Sequence, residues 1–185
     1  MLHMSQNNYD VLLMQALLKS PNHIRGLAKT LGTNQTTIAR KANNLYKKNV
    51  IDFRQEGKNK VFFLKKSLEA KEHIHITEIH KLLKIIEKNP TLRRITEQIQ
   101  NNKKISLAIL FGSYAKSIAK TESDIDIYIE TSDNSLKEEV ERIDTKISVK
   151  IGQYDKENLL IKEIEKNHVI LKGIERYYEK NNIFI

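Results

Sequence analysis

Gly112-Ser113-Tyr114-Ala115-Lys116-Ser117-Ile118-Ala119-Lys120-Thr121-Glu122-Ser123-Asp124-Ile125-Asp126-Ile127 decides the reading of the second half of this chain. Ahead of it, Ile105–Phe111 is an apolar run of the kind buried in a sheet. Gly112 permits a tight exit from that strand, and Ser113 opens a helix. Main-chain N–H groups at a helix start, joined by a Ser hydroxyl, form a seat for phosphate. Past the turn, Asp124–Glu130 reads Asp-Ile-Asp-Ile-Tyr-Ile-Glu, a strict period of two. Asp124 and Asp126 therefore point to one face, and Ile125, Ile127 and Ile129 bury on the other. Like charges side by side repel unless water or a cation lies between them. Two carboxylates beside a phosphate seat are how Mg2+ and a nucleoside triphosphate are held together. The alternation alone also fits an edge strand with polar residues outward; Gly-Ser at the end of the preceding strand selects the site.

This stretch resembles the signature of the DNA polymerase beta-like nucleotidyltransferase superfamily, written G-S-x-A-x-G…S-D-x-D, and within it the minimal nucleotidyltransferases. Gly112, Ser113, Ala115, Ser123, Asp124 and Asp126 match at family spacing, and the resemblance spans residues 91–185. It implies that Gly112, Ser113 and Ser123 bind nucleotide. It implies that Asp124 and Asp126 are catalytic and ligate Mg2+ or Mn2+, with NTP as substrate or ligand. The resemblance also implies a toxin-like protein partner.

Two departures stand out. Ser117 replaces the family's second Gly, which is tolerated where that backbone does not need φ > 0. Active members also supply a third carboxylate from a neighbouring strand, which helps deprotonate the attacking hydroxyl. Here that strand is Lys146-Ile147-Ser148-Val149-Lys150-Ile151-Gly152. Ile147, Val149 and Ile151 bury, so Lys146, Ser148 and Lys150 face the Asp pair, and none is an acid. Asp144 and Asp155 flank the strand and serve only in another register. Lys150 is placed to occupy the cation position itself.

The first third of the chain has a different chemistry. Of a formal net charge of +9, all falls on residues 1–66, with 12 Lys+Arg against 3 acids. Apolar residues recur at helical spacing over Tyr9–Lys19, again at Ile24, Leu27, Ala28 and Leu31, and again at Ile38, Ala42 and Leu45. Gly32 ends the second helix, and Thr33 or Asn34 caps the third. Val50–Arg54 and Val61–Leu64, flanking Glu56-Gly57-Lys58-Asn59, read as a β-hairpin. Three helices and a hairpin resemble the winged helix-turn-helix regulators of bacteria and archaea. Asn34, Gln35, Thr36, Thr37, Arg40 and Lys41 are left for base edges and phosphates in the major groove of double-stranded DNA. Lys47 and Lys48 end that helix, and Arg54, Lys58 and Lys60 sit on the wing within reach of phosphates.

The organisation expected is α+β: a winged-helix DNA-binding domain over 1–66, a connecting or dimerisation helix over 67–90, and a nucleotidyltransferase-like mixed sheet with helices over 91–185. Ile79, Leu82, Leu83 and Ile86 form one apolar stripe, which suits a homodimer. His73 and His75 do not share a helical face, and His168 and Tyr177-Tyr178 read as structural. Absence of Cys excludes disulfides, thiolate zinc sites and a Cys nucleophile. MLHMSQNNYD carries neither a basic n-region nor an apolar h-region, and no segment is long and apolar enough to span a bilayer, so a cytoplasmic protein is expected. The leading function is a DNA-binding protein that transfers a nucleoside monophosphate from NTP to a protein or small-molecule hydroxyl. Its rival is a winged-helix regulator whose second domain is catalytically inactive and serves nucleotide sensing or dimerisation.

Overall fold

The computed structural model describes residues 9–183. It has mixed α and β structure in two units, one ending at Thr77 and the other running from Glu78 to Asn182.

The first unit is a winged helix. Helices α1 (Tyr9–Lys19), α2 (Ile24–Thr30) and α3 (Gln35–Lys47) precede strands β2 (Ile51–Glu56) and β3 (Asn59–Leu64). Their apolar faces meet in a core that includes Leu13, Met14, Leu27, Ile38, Leu45 and Ile51. A short strand absent from the sequence reading, β1 (Asn22–His23), pairs with Phe62 and Val61 and gives the sheet order β1-β3-β2. Two residues carry no readable periodicity, so only the tertiary pairing reveals them. Asn34 caps α3 by accepting from the Thr37 N–H at 2.7 Å. Both α2 and α3 end in a left-handed residue, Gly32 (φ 61°) and Asn49 (φ 61°). In each, the next N–H reaches back across the last turn: Thr33 to the Ala28 carbonyl and Val50 to the Leu45 carbonyl, both at 3.0 Å. This pattern satisfies carbonyls that a helix end otherwise leaves unpaired.

Helix α4 (Leu68–Lys88) crosses the division between the units. Its apolar stripe differs from the expected one. Leu82, Ile85 and Ile86 pack into the core of the second unit, whereas Ile79 and Leu83 are exposed together with Ile76. At 3.6 residues per turn the four expected positions do form one stripe, but the core covers only its Leu82–Ile86 side, widened by Ile85, and leaves the adjoining Ile79–Leu83 side to solvent.

The second unit is built on a sheet of order β6-β5-β4-β7, from β4 (Ala108–Leu110), β5 (Ile125–Glu130), β6 (Ile147–Gly152) and β7 (Val169–Lys172). Only the β5–β6 pair is parallel. Helices α5 (Thr91–Asn101), α6 (Gly112–Ala115), α7 (Asn134–Glu141), α8 (Leu159–Lys166) and α9 (Ile174–Lys180) complete it. Ile125, Ile127, Ile129, Ile147 and Val149 bury on one side with Leu92, Ile95 and Ile99 of α5. Strand β7 has no counterpart in the sequence reading: directly after His168, Val169 and Ile170 pair with β4. Lys172 then donates to the Gln100 carbonyl at 2.8 Å and to the Asn102 carbonyl at 2.7 Å, closing the end of α5. β6 is an edge strand, and its Val149 N–H is covered by the Glu141 carboxylate at 3.0 Å. Covering an edge N–H in this way discourages pairing with another chain.

A polar cluster lies inside this unit. Glu78, fully buried, accepts from the Tyr178 hydroxyl at 2.7 Å and from the Lys81 ammonium at 2.8 Å. Tyr128, Tyr154, Tyr177 and Tyr178 make successive edge-on ring contacts, and His168 packs on Tyr177 with centroids 4.7 Å apart. Burial pulls the His168 imidazole down to about 4, so it is neutral. His168 and Tyr177-Tyr178 sit here as packing groups.

Candidate functional site

The exit from β4 and the start of β5 bring the motif together. Phe111 is extended, and its N–H bonds the Asp126 carbonyl at 3.0 Å. That bond fixes Gly112 beside Asp126. Gly112 has φ 68°, and a methyl group built there would collide with Oδ2 of Asp126. Glycine is therefore required twice, by the left-handed backbone and by the carboxylate packed against it. Ser113 is half-buried in the single turn of α6, whose N-cap residue has no side-chain cap. Ser123 accepts from the Lys120 N–H at 2.8 Å, and Lys146 donates to the Thr121 carbonyl at 2.7 Å. Both contacts shape the loop that delivers Asp124, so the Ser123 hydroxyl serves the loop.

Asp124 is exposed at the mouth of β5 and Asp126 half-buried on it. Burial, followed by the charge on Asp124, pushes the Asp126 carboxyl above the ordinary carboxylate range; the Lys150 ammonium opposes this. The two carboxylates thus share one electrostatic site. Lys150 lies near it, exposed and in register with Tyr128, but no salt bridge among the described residues joins it to either Asp. The site is not closed by a lysine.

The register of β6 decides what stands in the third position. Asp126 is directly beside Ser148 in the parallel pair. Asp144 accepts from the Lys146 N–H, and Asp155 from the Glu157 N–H, both at 2.9 Å. Each closes a turn at an end of β6. Among the described residues no group of three or more His, Cys, Asp or Glu side chains is arranged around a metal position. A pair of neighbouring carboxylates still fits one hard divalent cation, which takes oxygen ligands and leaves positions for phosphate and water.

Ser117 overturns the condition attached to it. It stands at φ 57°, in the left-handed region. Its N–H bonds the Tyr114 carbonyl at 2.9 Å, and the Ile118 N–H bonds the Ser113 carbonyl at 3.0 Å, so it is the left-handed terminator of α6. The family's glycine at this position answers that backbone, and serine carries a Cβ there at a cost of about 1–2 kcal/mol. Ser117→Gly is expected to raise stability by up to about 1 kcal/mol, the greater backbone entropy of glycine offsetting part of the relief. Thermal unfolding checks this, and a lower Tm in the variant would show that no strain is stored at Ser117.

In the winged helix, Gln35, Thr36 and Arg40 are exposed on α3, with Thr37 half-buried beside them. Lys47 and Lys48 are exposed at its end. Two of the expected contacts are engaged elsewhere: Asn34 caps the helix, and Lys41 pairs with Asp10 at 3.1 Å on the side facing α1. On the hairpin, Arg54 pairs with Glu56 at 2.6 Å, Lys60 lies 4.1 Å above the Phe53 ring, and Lys58 is exposed at the tip.

Residues 93–176 match the family model described as "Polymerase beta, Nucleotidyltransferase", which places a nucleotidyltransferase-type domain in the second unit. Gly112, Ser113, Asp124 and Asp126 lie within the matched segment. No curated protein sequence matches the chain significantly. Among solved structures, the transcriptional repressor BigR from Xylella fastidiosa is 17% identical with a TM-score of 0.35, covering 38% of this chain and 69% of that one. The winged helix-turn-helix domain of Mb0332 from Mycobacterium bovis is 14% identical with a TM-score of 0.35, covering 44% and 71%. The adhesin competence repressor AdcR from Streptococcus pyogenes is 17% identical with a TM-score of 0.34, covering 46% and 69%. Likeness at this level decides nothing about function. The assignment of the first unit as a winged helix comes from its own helices and hairpin. No helix among the described residues is long and apolar enough to cross a membrane.

Proposed function

We propose that this chain is a DNA-binding regulator whose nucleotidyltransferase-type domain holds a nucleoside triphosphate with one divalent cation and does not transfer it. The observation that carries this reading is the register of Ser148 beside Asp126, where a third acid would be needed. Asp124 and Asp126 would hold Mg2+ or Mn2+, and Gly112 and Ser113 would meet the phosphates. The ion supplies charge neutralisation to the triphosphate. The chain supplies the rest: Gly112 lets the backbone approach, the loop fixed by Ser123 and Lys146 sets Asp124, and strand β5 carries the half-buried Asp126. Without an acid at 148, the residues facing the pair offer no base for an attacking hydroxyl.

Transfer of a nucleoside monophosphate to a protein or small-molecule hydroxyl is the second reading, favoured by the Gly112–Asp126 packing being kept. Thr36, Arg40 and Lys47, exposed on α3, would meet duplex DNA, and the exposed Ile76, Ile79 and Leu83 of α4 suit a homodimer or a protein partner. The chemistry of both parts fits the cytoplasm.

Incubation of the full chain with labelled triphosphates, Mg2+ and cell lysate separates the two readings. The expected result is nucleotide binding that is lost in Asp124→Ala with Asp126→Ala, and no label passed to any acceptor. Label transferred by the natural chain and abolished in the double variant would establish the enzyme. Absence of a duplex gel-shift at low salt would remove the DNA-binding half.

A further inference from the structure

Between α3 and the β2–β3 hairpin lies a groove of about 710 Å3. Arg25 enters it from the first turn of α2, Asn43 and Tyr46 from α3, and Phe53, Lys58 and Lys60 from the hairpin. None of its lining residues is acidic, and Glu56 on the same hairpin is tied to Arg54. Three cations around one concavity with no counter-charge call for an anionic occupant.

The floor makes a second demand. Tyr46 remains 44% exposed although its ring lies only 5.5 Å from Phe53, which in turn meets Phe62 at 5.7 Å. Lys60 covers Phe53, so Tyr46 is the ring of this cluster most open to an arriving group. An aromatic platform among cations and a side-chain amide matches a nucleobase with its phosphates. In a duplex both faces of each base are covered by its neighbours, so a ring recessed between helix and wing would meet only sugar and phosphate. An unstacked base offers it a face. The cations come from two sides of the groove, Arg25 from α2 and Lys58 and Lys60 from the hairpin, which suits successive phosphates of a strand better than one free nucleotide.

We infer that this groove binds an unpaired stretch of single-stranded nucleic acid, one base stacking on Tyr46 and the flanking phosphates meeting Arg25, Lys58 and Lys60. Asn43 lies beside the base edge. The inference deepens the nucleic-acid reading of the first unit, and it separates two surfaces: the groove, with Gln35 and Lys58 in its lining, for a single strand, and the outer face of α3, with Thr36, Arg40 and Lys47, for duplex.

Anisotropy of a labelled oligothymidylate and of a labelled duplex, each titrated with the full chain, tests this. Tyr46→Ala is expected to weaken oligothymidylate binding about 5- to 150-fold. Tyr46→Phe, which keeps the ring, should stay within about twofold of the natural chain. Duplex affinity should be unmoved by Tyr46→Ala and lowered by Arg40→Ala. Duplex binding without oligothymidylate binding overturns the proposal and leaves the DNA-binding reading standing. An unchanged oligothymidylate affinity in Tyr46→Ala, or an equal loss on both probes, overturns it too. Binding of neither probe removes the DNA-binding reading along with it.

Discussion

Ser148→Asp is expected to turn the second unit from a nucleotide holder into a transferase. The new carboxylate would stand beside Asp126 in the parallel pair, on the side of the sheet that carries Asp124. Supplying the missing base is expected to raise transfer to hydroxyl acceptors by about 10²–10⁴-fold over the natural chain. A second readout does not need the acceptor. Three carboxylates crowd one site, so the variant should melt below the natural chain in chelator. Mg2+ should restore more of its Tm than it adds to the natural chain, because it binds the folded state. Ser148→Ala should change neither measurement. If Ser148→Asp gains no transfer and no Mg2+-dependent recovery, the missing acid is not what limits this site.

The second large effect concerns stability. Glu78→Ala is expected to cost about 3 kcal/mol, because it strips the buried counter-charge from Lys81 and an acceptor from the Tyr178 hydroxyl at once. Lys81 keeps some contact with solvent, with 24% of its side chain exposed, which holds the cost at the low end of the range for broken buried pairs. For a unit of this size the loss corresponds to a Tm lower by roughly 10–20 °C. Glu78→Gln keeps an acceptor for Tyr178 and should lose about 1 kcal/mol. Thermal unfolding followed by circular dichroism checks both. Equal losses in the two variants would show that the charge accounts for the whole effect and that the acceptor kept by glutamine contributes nothing.

The sequence disclosed most where a period was long or a motif dense. Helix α1 falls on Tyr9–Lys19 as its spacing indicates, and the hairpin lies where Gly57 punctuates two β-branched and aromatic runs. The outward position of Ser148 followed from alternation along Lys146–Gly152, and the register beside Asp126 bears that out. What escaped were features made by partners distant in sequence. β1 and β7 exist because of β3 and β4. The burial of Glu78 depends on Tyr178, a hundred residues away. The pairing of Lys41 with Asp10 joins two helices thirty-one residues apart. The groove went unread because Arg25, Tyr46 and Phe53 come from three separate elements, with no common spacing. Ser117 could have been found from Tyr114-Ala115-Lys116-Ser117 only by recognising that so short a helix must end in a left-handed residue.

The outermost position of β6 has a consequence for how this fold changes over time. Its inward side chains anchor the sheet, while Ser148 and Lys150 point away from that packing and can be exchanged one at a time. On the proposed reading, a single replacement there would decide whether the domain performs chemistry or only holds its ligand, with the interior left as it was. Silent and working versions of the architecture would then be near neighbours, separated by one side chain rather than by a refolded scaffold.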